Sequence, residues 1–103
     1  MAFRVEIAPR VVAQAEAAYL YIRRDSPANA VAWWNGLGAV IDGLSVFPRR
    51  FPIAPETVAF RVELRHVNYK GYRVIFRIDR KRVRIVHIRH AARLPVDRGE
   101  EVD

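Results

Sequence analysis

The spacing of apolar residues changes twice along this chain, and that change limits the folds open to it. Phe3, Val5 and Ile7 alternate with Arg4 and Glu6, a period of two that predicts a strand. From Pro9 the spacing becomes helical. Val11, Ala15, Ala18 and Ile22 share a face, Val12 and Tyr19 lie beside them, and a helix is expected over about 9–24. Asp25-Ser26-Pro27 then breaks the pattern; Ser26 can cap a second helix and Pro27 can take its first position. Ala30, Trp33, Leu37, Val40, Ile41 and Leu44 form the apolar stripe of that helix, which Pro48 is expected to end. So short a connection makes the pair an αα-hairpin.

Residues 48–56, PRRFPIAPE, hold three prolines and no period, so a loop is expected there. From Phe60 the period returns to two. Phe60, Val62 and Leu64 oppose Arg61, Glu63 and Arg65, then Tyr72, Val74, Phe76 and Ile78 oppose Arg73, Ile75, Arg77 and Asp79. A turn at Asp79-Arg80-Lys81-Arg82 leads to a last strand from Val83 to about Arg89, and Pro95 closes the regular structure. The order β-α-α-β-β-β predicts an α+β fold in two layers, a single domain over residues 1–103. The helical hairpin covers one face of a mainly antiparallel four-stranded sheet, and the arginines occupy the other. The acidic tail DRGEEVD, from about 97 to 103, is expected to fray.

Charge narrows the partners. The net charge is +7, and residues 61–93 carry eleven Lys and Arg against only Glu63 and Asp79. The positive field therefore belongs to the C-terminal third and suits an acidic protein or nucleic acid. There is no cysteine, which removes disulfides and Cys-based zinc sites and fits a reducing, cytoplasmic compartment. MAFRVEIAPR carries Arg4 and Glu6 inside its short apolar run, unlike a signal peptide. No apolar run approaches the roughly 18 residues of a membrane helix, so no membrane partner is expected.

Enzyme templates find little to match. There is no phosphate-binding glycine loop and no nucleophile elbow. Ser26 reads as a cap and Ser45 as part of a helix. His87 and His90 lie three apart on a strand and so point to opposite faces, which argues against a metal grip; no metal and no cofactor are expected. The basic residues remain. Arg61 and Arg65 share a face, as do Arg73 and Arg77, while His90 and Arg93 follow at the end of the last strand. Converging guanidiniums can hold a phosphate bidentately and a histidine can move a proton. The simpler reading is a solvated sheet face. Of Trp33 and Trp34, about 100° apart on a helix, one should be core and the other an interface or partly exposed residue. Tyr19, Tyr21 and Phe47 read as packing, His66 as a loop histidine, and Glu56 as a remote candidate for a general base.

In combination, several segments carry a family pattern: FRVEIAP, then YLYIRRDSPANAVAWWNGLGAVIDGLSVFPRRFPIAPE, then FRVELR, GYRVIFRID and VRIVHIRHAARLP. Over residues 3 to about 95 the chain resembles the RelE/ParE family of type II toxin–antitoxin toxins, also called plasmid stabilisation proteins. The resemblance implies the same β-α-α-β-β-β fold and a bacterial or archaeal toxin neutralised by a cognate antitoxin encoded beside it. RelE-like members cleave mRNA on the ribosome. ParE-like members inhibit DNA gyrase.

Carried over residue by residue, the ribonuclease pattern places Arg61, Arg73 and Arg93 at catalytic positions, with His90 as a substitute proton donor. Glu63 stands where a lysine is usual, and no tyrosine follows Tyr72. The SPANAVAWW helix start and the PRRFPIAPE loop are closer to the ParE-like branch. The resemblance therefore implies a gyrase inhibitor, with an mRNA endonuclease as the alternative and a non-toxic interaction module as a further one. Enzymatic activity stays open between these readings, and so does the oligomeric state. Arg65, Arg77, Arg84, Arg89 and Trp34 are the residues expected to meet antitoxin or target.

Overall fold

The computed structural model describes residues 2–96. The acidic tail from 97 to 103 lies outside the described residues. The element order is β1 (Arg4–Ile7), α1 (Pro9–Asp25), α2 (Pro27–Gly43), a 3-10 turn (Pro48–Arg50), α3 (Glu56–Phe60), β2 (Arg65–Tyr69), β3 (Tyr72–Asp79) and β4 (Arg82–His90). This is the expected α+β order with two short helical turns added between α2 and β2.

Ser26 alone joins α1 to α2. Its amide donates to the Ile22 carbonyl at 3.0 Å, closing α1, and its hydroxyl accepts from the Asn29 amide at 3.2 Å, opening α2. One residue thus satisfies orphan groups of both helices and forces a tight reversal. Helix α2 ends at Gly43, before Pro48, so Ser45 lies in the turn that follows and not in the helix. Pro48 instead opens the 3-10 turn and is itself buried.

The sheet order is β1-β4-β3-β2. Strand β1 runs parallel to β4, pairing Arg4 with Arg82 and Ile7 with Ile85; the other pairings are antiparallel. Lys70 (φ 43°) and Gly71 (φ 84°) make the two-residue turn between β2 and β3, where both positions need left-handed backbone. In β4 the register shifts: Ile75 pairs with His87 but Phe76 with Ile85, leaving Val86 as the extra residue of a bulge.

Two cores sandwich this sheet. On the helical side, Val11, Ala15 and Ala18 of α1 and Trp33, Leu37 and Ile41 of α2 pack on Val74, Phe76, Val83, Ile85 and Ile88. On the far side, Ala54, Leu64 and Val96 cover Ile75 and Val86, with Phe60 and Val62 packed against them. The far face is therefore not the continuous arginine surface expected from alternation; half of it is a second core.

The strand expected from Phe60 begins only at Arg65. Before it, Glu56–Phe60 coil into α3, and Arg61 ends that turn in left-handed backbone at φ 56°. The Thr57 hydroxyl donates to the Leu64 carbonyl and accepts from the Leu64 amide, both at 2.9 Å, and this pair of hydrogen bonds folds the segment back on itself.

Candidate functional site

The basic side chains proposed from sequence, Arg61 apart, divide among four places. The first is internal. Arg73, on β3, donates from Nη1 to Glu56 Oε1 at 3.1 Å and from Nη2 to Glu56 Oε2 at 2.5 Å. Its Nη1 also lies 3.0 Å from His66 Nδ1. An arginine can only donate, so Nδ1 accepts and His66 is neutral with its proton on Nε2. Glu56 Oε2 further accepts from the Val96 amide at 2.9 Å. Burial alone would push the Glu56 carboxyl up. The Arg73 hydrogen bonds, the Val96 amide and the Arg73 charge outweigh it and hold the carboxyl below its ordinary range. Burial, reinforced by the Arg73 charge, pushes His66 down. His66 sits in β2 and not in a loop. The arrangement is a buried tie between α3, the sheet and the residues after β4.

The second place is the loop after α2. Arg65 donates from Nη1 to the carbonyls of Arg49 (3.1 Å) and Phe51 (2.6 Å), and from Nε to Glu63 at 3.0 Å. Its side chain is only 16% exposed, so it serves as an internal strut.

The third is the open half of the far face. Arg77 and Arg84 are directly paired across β3 and β4, and Glu6 on β1 pairs with Arg84. Together with Asp79 and Arg82 they line a small hollow of about 90 Å³. Arg82 reaches Asp79 at 3.4 Å and Glu6 at 3.6 Å.

The fourth is the end of the β3–β4 ribbon. His90, Arg89 and Arg93 line a hollow of about 270 Å³ with Tyr72 and Tyr21. The His90 and Tyr72 rings meet edge to face at 5.1 Å. The Ala92 amide donates to His90 Nδ1 at 3.1 Å, so its proton also sits on Nε2. Arg89 Nε donates to the Leu94 carbonyl at 2.5 Å. Of the four residues placed at catalytic positions by resemblance, His90 and Arg93 share this hollow. Arg73 is committed to Glu56, and Arg61 is exposed at the end of α3. Among the described residues no group of three or more His, Asp or Glu converges on a metal position.

The helical hairpin carries a different surface. Trp33 points into the core at 3% exposure, while its neighbour Trp34 is 40% exposed. Trp34 meets Tyr19 edge to face at 5.8 Å across the two helices. Glu16, Tyr19, Leu20, Val31 and Trp34 line an apolar hollow of about 390 Å³. A second hollow of about 210 Å³ shares Trp34 and continues past Val12 and Ile41 to Ile7 on β1. With Trp34 lining both, the two hollows together form a groove-like surface that reaches from the α1–α2 hairpin to Ile7 on the edge strand. It is apolar along most of its length, as a surface built to receive an amphipathic segment would be.

Sequence reasoning weighed Glu56 only as a remote general base and His66 as a loop histidine, and so missed their joint contact with Arg73. Pro55-Glu56 at the head of an apolar run was a legible helix start. Phe47 and Tyr21 were expected to pack, and both are largely exposed, Phe47 at 71%. No helix among the described residues is long and apolar enough to cross a membrane.

Comparison with known proteins agrees with this architecture. Residues 5–95 match the family described as ParE toxin of type II toxin-antitoxin system, parDE. No curated protein matches the sequence. Among solved structures, a chain of the chromosomal ParDE TA system from P. aeruginosa superimposes with a TM-score of 0.69 at 16% identity, over 85% of this chain and 95% of that one. At that identity the likeness speaks for the fold.

Proposed function

This chain belongs to the ParE toxin family of type II toxin–antitoxin systems, and from that premise we propose that it arrests growth by binding DNA gyrase and is silenced by a cognate antitoxin. The observation that carries the antitoxin half is the groove at Trp34. It is apolar, open and continuous with Ile7 on an edge strand. An amphipathic helix fits its helical part, and an extended segment continuing from that helix can add to β1. A chain of net charge +7 favours an acidic partner by long-range attraction. Such a segment orders as it binds. The complex is heteromeric and forms in the cytoplasm.

The gyrase half is supported by what Arg73 does. Its guanidinium is spent on Glu56 and His66, so it does not stand ready for a phosphate. A toxin without that arginine acts more readily by binding than by cleaving. The test is a supercoiling assay with pure gyrase and a stoichiometric excess of the protein, with and without antitoxin. Inhibition that antitoxin reverses is the expected result. Undiminished supercoiling rejects gyrase as the target.

A second reading, ribosome-dependent mRNA cleavage, rests on His90, Arg93 and Arg89 sharing one hollow with Tyr72. Cleavage of ribosome-bound message by the wild type, abolished in His90→Ala, would select it.

A further inference from the structure

The loop from Ser45 to Phe51 presents one aromatic ring to solvent and holds it there. Phe47 is 71% exposed, and its neighbour Val46 is 48% exposed. Its backbone is left-handed at φ 45°, a conformation that a bulky L-residue adopts only when its surroundings impose it. Those surroundings are on both sides. Before it, the Phe3 amide bonds the Ser45 carbonyl at 2.7 Å. After it, Pro48 is buried, the Arg50 amide returns to the Phe47 carbonyl at 3.0 Å, and the Arg65 guanidinium clamps the carbonyls of Arg49 and Phe51. Arg50 bonds the Val46 carbonyl and lies 4.5 Å from the centre of the Phe51 ring. The exposed ring thus rides on a loop whose own carbonyls are tied down. Beside it opens a hollow of about 490 Å³ lined by Phe3, Phe47, Pro48, Arg49 and Arg50.

Among the described residues nothing packs over the Phe47 ring, which is 71% exposed. Burying Phe47 would be the ordinary solution, and the fold instead spends backbone strain to keep it out. Aromatic and arginine side chains on a rigid mount are what dominant contacts of protein interfaces are made of. Charge states the partner's chemistry. Arg49 and Arg50 flank the ring, and Arg4 begins β1 in the residue after Phe3. No carboxylate occurs between Asp42 and Glu56.

Resting on the toxin reading above, we propose that Phe47 and Arg49 form the surface that engages the target, an acidic protein face with an apolar pocket for the ring and carboxylates at its rim. A nucleic acid suits the surface less well. The sheet's arginines alternate with Glu6 and Asp79, which interrupt a phosphate track. The groove at Trp34, lined by other residues, stays free for the antitoxin.

The experiment is inducible expression of wild type, Phe47→Ala, Phe47→Tyr, Arg49→Glu and, as a control at an exposed apolar residue elsewhere, Val58→Ala. Thermal midpoints and antitoxin affinity are measured on the purified proteins. Phe47→Ala and Arg49→Glu are expected to restore colony counts by roughly 30-fold or more, the scale of a lost dominant contact. Phe47→Tyr and Val58→Ala are expected to arrest growth like the wild type, and antitoxin affinity is expected to hold throughout. Full arrest by either Phe47→Ala or Arg49→Glu overturns the proposal. So does a wild type that leaves growth untouched, or binding of a short labelled single strand of DNA that Phe47→Ala abolishes. If Phe47→Ala fails to fold, Arg49→Glu decides alone. Failure of the gyrase reading shows separately, as normal supercoiling, and leaves the growth comparison standing.

Discussion

The Arg73 guanidinium holds both carboxylate oxygens of Glu56 on the face of the sheet turned away from α1 and α2, with the Glu56 side chain fully buried and Arg73 only 9% exposed. The pair ties α3 to β3, and the Val96 amide adds the residues beyond β4 to the same carboxylate. Removing one partner strands the other as an unpaired buried charge. Glu56→Ala and Arg73→Ala should each cost about 3–5 kcal/mol of unfolding free energy. The double substitution Glu56→Ala with Arg73→Ala should cost less than the sum of the singles. Urea denaturation of the wild type and the three variants checks this, and strict additivity would deny the coupling.

The same cluster sets an acid response in two steps. His66 is depressed below its ordinary value of 6.5, so the unfolded chain takes up a proton first and stability falls as pH drops below about 6.5. Glu56 is depressed below 4.5, so its contribution is complete above that value and is lost as pH falls further, through its folded value. His66→Gln, which can still accept from Arg73 but does not titrate, should flatten the first step and spare the second. Denaturation midpoints measured between pH 3 and 8, a range that brackets both ordinary values, give the answer.

The adjacent tryptophans should separate stability from binding. Trp33→Ala removes a core ring and should cost about 3–5 kcal/mol of stability. Trp34→Ala should leave most of the stability intact yet weaken antitoxin binding by about 2 kcal/mol or more, the scale of an interface anchor. Calorimetric titration with the antitoxin, alongside thermal melts, reads both. Unchanged affinity in Trp34→Ala would remove the groove as the docking site.

Two glycines of α2 should respond in opposite directions. A Cβ at Gly36 would lie 2.0 Å from the Tyr69 hydroxyl, which donates to the Trp33 carbonyl at 3.1 Å. Gly36→Ala must displace that ring and should cost about 1–3 kcal/mol. A Cβ at Gly38 meets nothing within 4 Å, and Gly38→Ala should gain up to about 1 kcal/mol of helix stability. Paired melting curves test the sign of each.

Periodicity found α1, α2, β1, β3 and β4, whose apolar spacing matches the face each packs on the helical core, and cap chemistry found the Ser26 junction. The misread segment runs from Glu56 to Leu64. Glu56 read as the end of a loop and Phe60–Leu64 as a strand, but Thr57 folds the segment back on Leu64, and no local window of sequence contains Arg73's claim on Glu56. The basic residues were misjudged for a related reason. Alternation says which way an arginine points and not what waits there: for Arg65 it was two loop carbonyls, for Arg73 a carboxylate. Phe47 defeats composition altogether, because apolar residues are normally buried and this one is held out by backbone geometry.

The parallel pairing of β1 with β4 also carries a timing rule. Among the described residues, 4–7 pair only with 82–85, so the first strand made waits for almost the last. At translation rates of roughly 5–20 residues per second, that wait is on the order of four to sixteen seconds. During it the helical hairpin can form locally, but the sheet that it should cover is incomplete. A chain cut short near residue 80 has neither β4 nor a seat for β1, so an interrupted message yields a hairpin of helices with no complete sheet to cover.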